Sequence, residues 1–311
     1  MEAKSEILER VKKLEEKYAT TGQDLSSYLD GLLYAEYLTY WDYVHLDILL
    51  NLQNPKTNFP DEKVFIIYHQ ITELYFKLIL LSLEQIATAK NLSAEFFIMH
   101  LKRVNSYFEN LTRSYEIMIE GMDKEQFLKF RMSLLPASGF QSAQYRMIEI
   151  CSTDLSNLVS LEKRNSVPAN EVEKLFELLY WRQGATELAT GKKTLTLRQF
   201  EIKYSRQFIQ LAKEYSDKNM WQCYQKLSEQ EKKNEILIEE LKKLDMNANV
   251  FWPLAHFKSA VRYLDKKPEA IAATGGTNWQ KYLPPKNQRI VFFPLLWTRE
   301  ELMEWGKHFS V

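Results

Sequence analysis

The chain has 311 residues, with 41 Lys and Arg against 41 Asp and Glu, so its formal net charge is zero. That balance argues against a general nucleic-acid binder or a polybasic membrane-surface protein, since both need excess positive charge to meet phosphates. Hydrophobic residues at 45% are ample for a large core, whereas nine glycines and nine prolines are too few for the many hairpins of an all-β protein.

The N-terminus, MEAKSEILERVKKLEEKY, is charged throughout and has no apolar core of a signal peptide. No apolar run approaches the roughly 20 residues of a membrane span. Cys151 and Cys223 cannot make a disulfide framework and suit a reducing compartment. The expected location is the cytoplasm. Ile7, Leu8, Val11, Leu14 and Tyr18 recur at helical spacing and predict a first amphipathic helix. Leu25 to Gln53 is aromatic-rich and reads as short helices, and Asn54 to Pro60 as a loop. Asp61 then caps a helix to about Ala89 that is apolar around most of its circumference, which predicts burial. A second long helix is predicted from Ser93 to Gly121.

Further helix starts carry capping-box patterns: Asp123 with Gln126, Asn170 with Glu173, Thr196 with Gln199, and Ser228 with Glu231. Pro253 can open the first turn of a helix running through Tyr263. Residues 265–288 hold three prolines and the pair Gly275-Gly276 and read as the longest irregular region. Thr298 with Glu301 starts a terminal helix. Only Ile290 to Phe293 offers a strand pattern. The fold class expected is all-α, a single multihelical domain over residues 1–311 with about ten helices.

No phosphate-binding loop, dinucleotide fingerprint, nucleophile elbow, zinc spacing or c-type haem attachment motif is present. His69 shares a helix face with Phe65, Thr72 and Phe76; on helix position alone, a structural histidine beside a polar stripe is the commoner case. His256 shares its face with Trp252, Ala260 and Tyr263, with small Ala260 leaving room for a flat apolar ligand; haem on a neutral imidazole fits such a face, and so does a satisfied core histidine. Arg131 stands among apolar residues in FLKFRMSLLPASGFQS and needs an anion, either a ligand carboxylate or a protein Glu or Asp. Thr274-Gly275-Gly276-Thr277 could converge amides on an anion or form an ordinary tight turn. Tyr40, Trp41 and Tyr43 cannot all face one helical stripe, so some of this aromatic cluster faces away from whatever stripe is buried.

Four stretches together resemble the tryptophan 2,3-dioxygenase family: LTYWDYVHLDILLNLQNP at 38–55, DEKVFIIYHQITELYFK at 61–77, FLKFRMSLLPASGFQSAQYRMIE at 127–149, and the region from Trp252 to Trp297 with ATGGTNWQKYL and FFPLLW. The resemblance implies an all-helical homotetramer that binds non-covalent haem b. It also implies an activity, opening the indole ring of L-tryptophan with O2 to give N-formyl-L-kynurenine. By motif, His256 corresponds to the proximal iron ligand and His69 to the distal histidine that hydrogen-bonds the indole N–H. Phe65 corresponds to a wall of the indole pocket, and Phe127 stands where many bacterial members have tyrosine. Arg131 corresponds to the carboxylate-binding arginine, and Thr274 to a threonine beside the substrate ammonium and carboxylate. Ser138 and Gly139 fall in the loop that lines the haem pocket. Tyr40 and Tyr43 correspond to tyrosines that reach a neighbouring subunit's active site, which makes residues 1–45 an arm on that neighbour. The spacing from His256 to the Gly-Gly turn is about one helical turn longer than in the family. Two rivals are a superfamily haem monooxygenase acting on a substituted aromatic amino acid and a haem-free helical scaffold.

Overall fold

A computed structural model describes residues 2–20, 22, 24–35, 38–134, 138, 141–164, 166–185, 192–264 and 283–307. The chain divides into two compact units, residues 1–54 and 55–311. Among the described residues there is no strand; Val159 and Leu179 form an isolated antiparallel bridge.

The first unit holds α1 (Glu2–Ala19), α2 (Leu25–Leu33), α3 (Tyr40–Tyr43) and α4 (Leu46–Leu49). Asp24 caps α2 by accepting from the Ser26 and Ser27 amides, and Thr39 caps α3. Tyr18 stacks on Tyr28 with ring centroids 4.7 Å apart, joining α1 to α2. Leu25 is the one buried side chain described in this unit; Ile7, Leu8, Leu14, Leu32 and Leu33 are exposed. A piece this small cannot enclose much apolar surface by itself.

The second unit runs through α5 (Asp61–Ala87), α6 (Ala94–Ser114), α7 (Glu116–Ile119) and α8 (Lys124–Phe130), then a 3-10 turn at Arg131–Leu134 and α9 (Ala143–Ser152). It continues with α10 (Val172–Glu177), α11 (Tyr180–Gly184), α12 (Leu195–Glu214), α13 (Met220–Gln225), α14 (Glu229–Lys232) and α15 (Glu235–Met246). A π-helical turn, Asn247–Phe251, leads directly into α16 (Trp252–Leu264), and α17 (Pro285–Gln288) and α18 (Arg299–Met303) follow. The α5 helix packs on α6 and α9, α6 on α15, and α9 on α12, while α16 lies against α6, α7 and α8. Phe76, Ile79 and Leu83 of α5, Phe97, Leu101 and Phe108 of α6, and Leu241 and Leu244 of α15 form the buried centre.

Several expectations change. The Asp61 carboxylate does not cap its own helix but accepts from the Asp123 amide at 2.6 Å, and Gln126 accepts from the Asp61 amide, so the starts of α5 and α8 are tied to each other. Burial of α5 is one-sided: Ile67, Ile71, Leu74, Leu78 and Leu81 stay exposed because α6 and α9 cover only the opposite faces. By length and composition α5 is also apolar enough to cross a membrane, although it packs here as a helix of the bundle. The predicted second long helix breaks at Tyr115, whose amide reaches the Thr112 carbonyl three residues back. The Asn170–Glu173 box does not form, because the helix starts at Val172 with Glu171, not Asn170, in the cap position, and the exposed Glu173 pairs with Lys213 instead. Helix α12 starts early on Thr194, while Thr196 is buried. Pro253 does not open a free helix, since the chain passes through the π turn without a break. Ile290 to Phe293 is no strand; the Phe292 and Phe293 amides donate to the Asp245 carboxylate rather than to a ladder. Ser228 with Glu231 and Thr298 with Glu301 form complete capping boxes.

Candidate functional site

His69 sits midway along the regular helix α5. Its Nδ1 lies 2.7 Å from the Phe65 carbonyl one turn back. A carbonyl can only accept, so Nδ1 carries the proton and Nε2 keeps its lone pair. The Phe65 ring covers the imidazole at 4.1 Å between centroids. Phe65 also meets Phe127 at 6.2 Å and Phe130 at 5.9 Å, and Phe127 meets Tyr263 at 4.5 Å, which makes an aromatic wall from α5, α8 and α16. Burial holds His69 below the ordinary histidine range, opposed by the Phe65 carbonyl and by Glu73, so the ring is neutral near pH 7.

His256 repeats this arrangement on α16. Its Nδ1 donates to the Trp252 carbonyl at 3.1 Å, which leaves Nε2 unprotonated. Trp252 stands edge-on to the ring at 4.4 Å and Tyr115 lies tilted against it at 4.6 Å. Burial pushes His256 down to about 4, and the nearness of His69 and Arg146 disfavours its protonation further. Ring contacts run from each imidazole to the same two elements, α5 and α16: His69 through Phe65 and Phe127 to Tyr263 of α16, and His256 through Tyr115 to Tyr68 of α5, though the two histidines lie 187 positions apart by subtraction of their residue numbers. Both side chains are half-buried and keep some accessible area despite this desolvation.

Arg131 is 4% exposed, at the head of the 3-10 turn that follows Phe130 of the aromatic wall. Desolvation lowers its pKa from that of a free guanidinium. Ser138 donates its amide to the Gln141 side chain at 3.2 Å, and its carbonyl accepts from the Gln141 amide at 2.9 Å. Tyr40 and Tyr43 lie on α3 of the first unit, 70% and 73% exposed. Gly139 and Thr274 fall outside the described residues. Phe65, His69, Phe127 and His256 are thus brought into one neighbourhood, with Arg131 next in sequence to its wall.

Sequence reading missed three contributors. Tyr115 is buried between Tyr68, Trp252 and His256; nothing local marks it, since it sits in the break between α6 and α7. Arg146 donates to both Glu149 oxygens at 3.0 and 2.9 Å and to the Tyr180 hydroxyl, a buried ion pair that its i,i+3 spacing could have signalled. Tyr145 donates to the Ala248 carbonyl at 2.8 Å, just before His256's helix. A surface cleft of about 540 Å³ flanks α5, lined by Glu73, Lys77, Glu84, Gln144 and Tyr204 among others. It contains none of the expected site residues, and the Gln144 side chain donates to Glu73 within it.

A family model described as tryptophan 2,3-dioxygenase matches residues 33–267, a span that holds every expected site residue except Thr274. Curated relatives bear the same name. A protein of Ruegeria sp. (strain TM1040) is 42% identical over 118 residues, covering 37% of this chain and 42% of its own length. One from Sorangium cellulosum is 34% identical over 169 residues, covering 50% and 38%. These alignments span less than half of either relative, whereas one with a Polaromonas naphthalenivorans protein, 30% identical over 293 residues, covers 84% of this chain and 90% of the relative. With a matched segment from residue 33 to 267 and likeness to a relative along most of both lengths, the chain belongs to the tryptophan 2,3-dioxygenase family.

Proposed function

We propose that the protein is a haem-dependent dioxygenase that inserts O2 across the indole C2–C3 bond of L-tryptophan and gives N-formyl-L-kynurenine, a step of tryptophan catabolism in the kynurenine pathway. One observation carries the reading: two neutral histidines on different helices each spend Nδ1–H on their own helix and keep Nε2 free within one aromatic neighbourhood. The residues fit haem b. His256 offers a neutral imidazole with its tautomer fixed by a carbonyl, flanked by the flat apolar rings of Trp252 and Tyr115. When bound, the haem supplies the iron and dioxygen chemistry; the protein supplies binding, orientation and exclusion of water. Ser138 and Gly139 would line its pocket.

His69 Nε2 would accept a hydrogen bond from the indole N–H and fix the ring's register, with Phe65 and Phe127 as walls. Arg131 would hold the substrate carboxylate bidentately, and Thr274 would lie beside the ammonium and carboxylate. A ligand without the carboxylate forfeits a charge-assisted contact inside a desolvated site, which favours the amino acid over its decarboxylated analogue.

The reading includes a cytoplasmic homotetramer with no nucleic-acid or membrane partner, in which Tyr40 and Tyr43 complete a neighbour's pocket. The exposed aromatics of α3 support it. So does the exposed seam Ile67, Ile71, Leu74, Leu78 and Leu81, whose alternating spacing of four and three suits helix-on-helix association. The test is the visible spectrum of the purified protein before and after anaerobic addition of L-tryptophan, followed by product mass after O2 is admitted. A Soret band that responds to tryptophan and a product heavier by both oxygen atoms are expected. No Soret band, or a singly oxygenated product, would overturn the reading. Mixing Tyr40→Ala/Tyr43→Ala subunits with Arg131→Ala subunits should restore partial activity; a fully active monomer would exclude the shared site.

A further inference from the structure

Helix α16 reaches His256 only after a π turn, in which the Trp252 amide bonds the Asn247 carbonyl five residues back. A π turn inserts one residue, so it rotates everything after it by about 100° relative to an unbroken α-helix. Whether that turn persists therefore decides which way His256 points. The next bond in the same pattern would run from residue 253 to the Ala248 carbonyl, but residue 253 is proline and has no amide proton. Ala248 is fully buried, so its carbonyl cannot turn to water. The Tyr145 hydroxyl, from α9, donates to it at 2.8 Å.

We propose that Tyr145 is a positioning residue for His256: its hydroxyl stands in for the amide proton that Pro253 lacks, and so holds the π turn that aims His256 Nε2. This rests on the reading that His256 holds the haem iron. Two further contacts restrain the same turn. Asn249 donates its side-chain amide to Asp245 at 2.8 Å, and that carboxylate also accepts from the Phe292 and Phe293 amides and the Trp297 indole. Asn247 donates to Asn105 of α6 at 3.1 Å. The Tyr145 ring rests on Phe76 at 5.5 Å, and Phe76 meets Trp252 edge-on at 5.7 Å. The Trp252 carbonyl in turn holds His256 Nδ1–H. A continuous run of contacts thus joins the α9 hydroxyl to the imidazole.

The test uses the haem-loaded protein. Tyr145→Phe keeps the ring and removes only the hydroxyl. Its hemin affinity should fall roughly tenfold, the effect of one buried hydrogen bond, and the iron–histidine stretch in the ferrous resonance Raman spectrum should shift. Adding Pro253→Ala returns an amide proton within reach of the Ala248 carbonyl. The double variant should therefore recover most of the affinity and the parental stretch, which a general packing defect would not do. Should Tyr145→Phe fail to fold, the double variant reports alone: recovery supports the proposal and equal damage overturns it. Unchanged affinity and stretch in a folded Tyr145→Phe also overturn it. His256→Ala serves as the control. Stoichiometric haem in that variant would remove the reading on which the proposal rests, and the proposal with it, whereas a null result in Tyr145→Phe removes the proposal alone.

Discussion

His69 and His256 make the same local bond on helices that are built differently. The α5 helix is uninterrupted for 27 residues, and His69 takes its direction from a regular helix whose buried face carries Tyr68, Thr72, Phe76 and Ile79. His256 follows a π turn, and its direction depends on Tyr145, Asn105 and Asp245, which lie on three other helices. The difference matches the demands of the two proposed roles. A group that orients a substrate tolerates small errors that the substrate can absorb, whereas an iron ligand must be aimed closely and braced from behind.

The largest expected effect separates the two histidines. His256→Ala should purify without stoichiometric haem, read from the Soret absorbance per protein. His69→Ala should keep its haem and lose activity by roughly ten- to a thousand-fold, the range for removing one positioning hydrogen bond or proton acceptor. That variant should also discriminate less against 1-methyltryptophan, which has no indole N–H to donate. Haem lost from His69→Ala but kept in His256→Ala would invert the assignment.

A smaller effect concerns acid stability. His256 is pushed down to about 4 in the folded chain, against an ordinary value near 6.5. A depressed histidine contributes stability that is present in full above the unfolded value and lost as pH falls through the folded one. That contribution is at most roughly 3 kcal/mol, disappearing between about pH 6.5 and 4. Asp245, pushed up to about 6 by burial, has the opposite sign: its contribution is present at low pH and lost as pH rises through 6. Comparing haem-free parent with haem-free His256→Leu cancels Asp245 and the other groups. The parent should lose more melting temperature than the variant on acidification, and parallel curves would mean that His256 is not buried neutral. Phe127→Tyr should have the least effect on stability, since the ring contacts with Phe65 and Tyr263 survive the added hydroxyl.

What was legible in the sequence was local. Capping boxes at Ser228 and Thr298 formed because a hydroxyl, a carboxylate and two amides lie within three residues of each other. The face shared by Phe65 and His69 followed from the helical period alone, and the rings do meet. The same logic failed where a distant partner competed. Asp61 turned to Asp123, and Phe292 and Phe293 gave their amides to Asp245 instead of a strand. Family motifs marked His69, Arg131 and His256 but gave no reason for their neighbours.

An all-helical chain, the helix that carries His69, and two histidines on faces rich in aromatic residues follow from the order of the amino acids alone. Which side of α5 is covered, where Tyr115 inserts, and the π turn at the entrance to α16 follow from packing. Helical periodicity is a property of consecutive residues, so it can be read along the chain. A carbonyl orphaned at Ala248 by Pro253 and satisfied by a hydroxyl 103 residues earlier is a property of packing, and exists only once α9 and α16 have met.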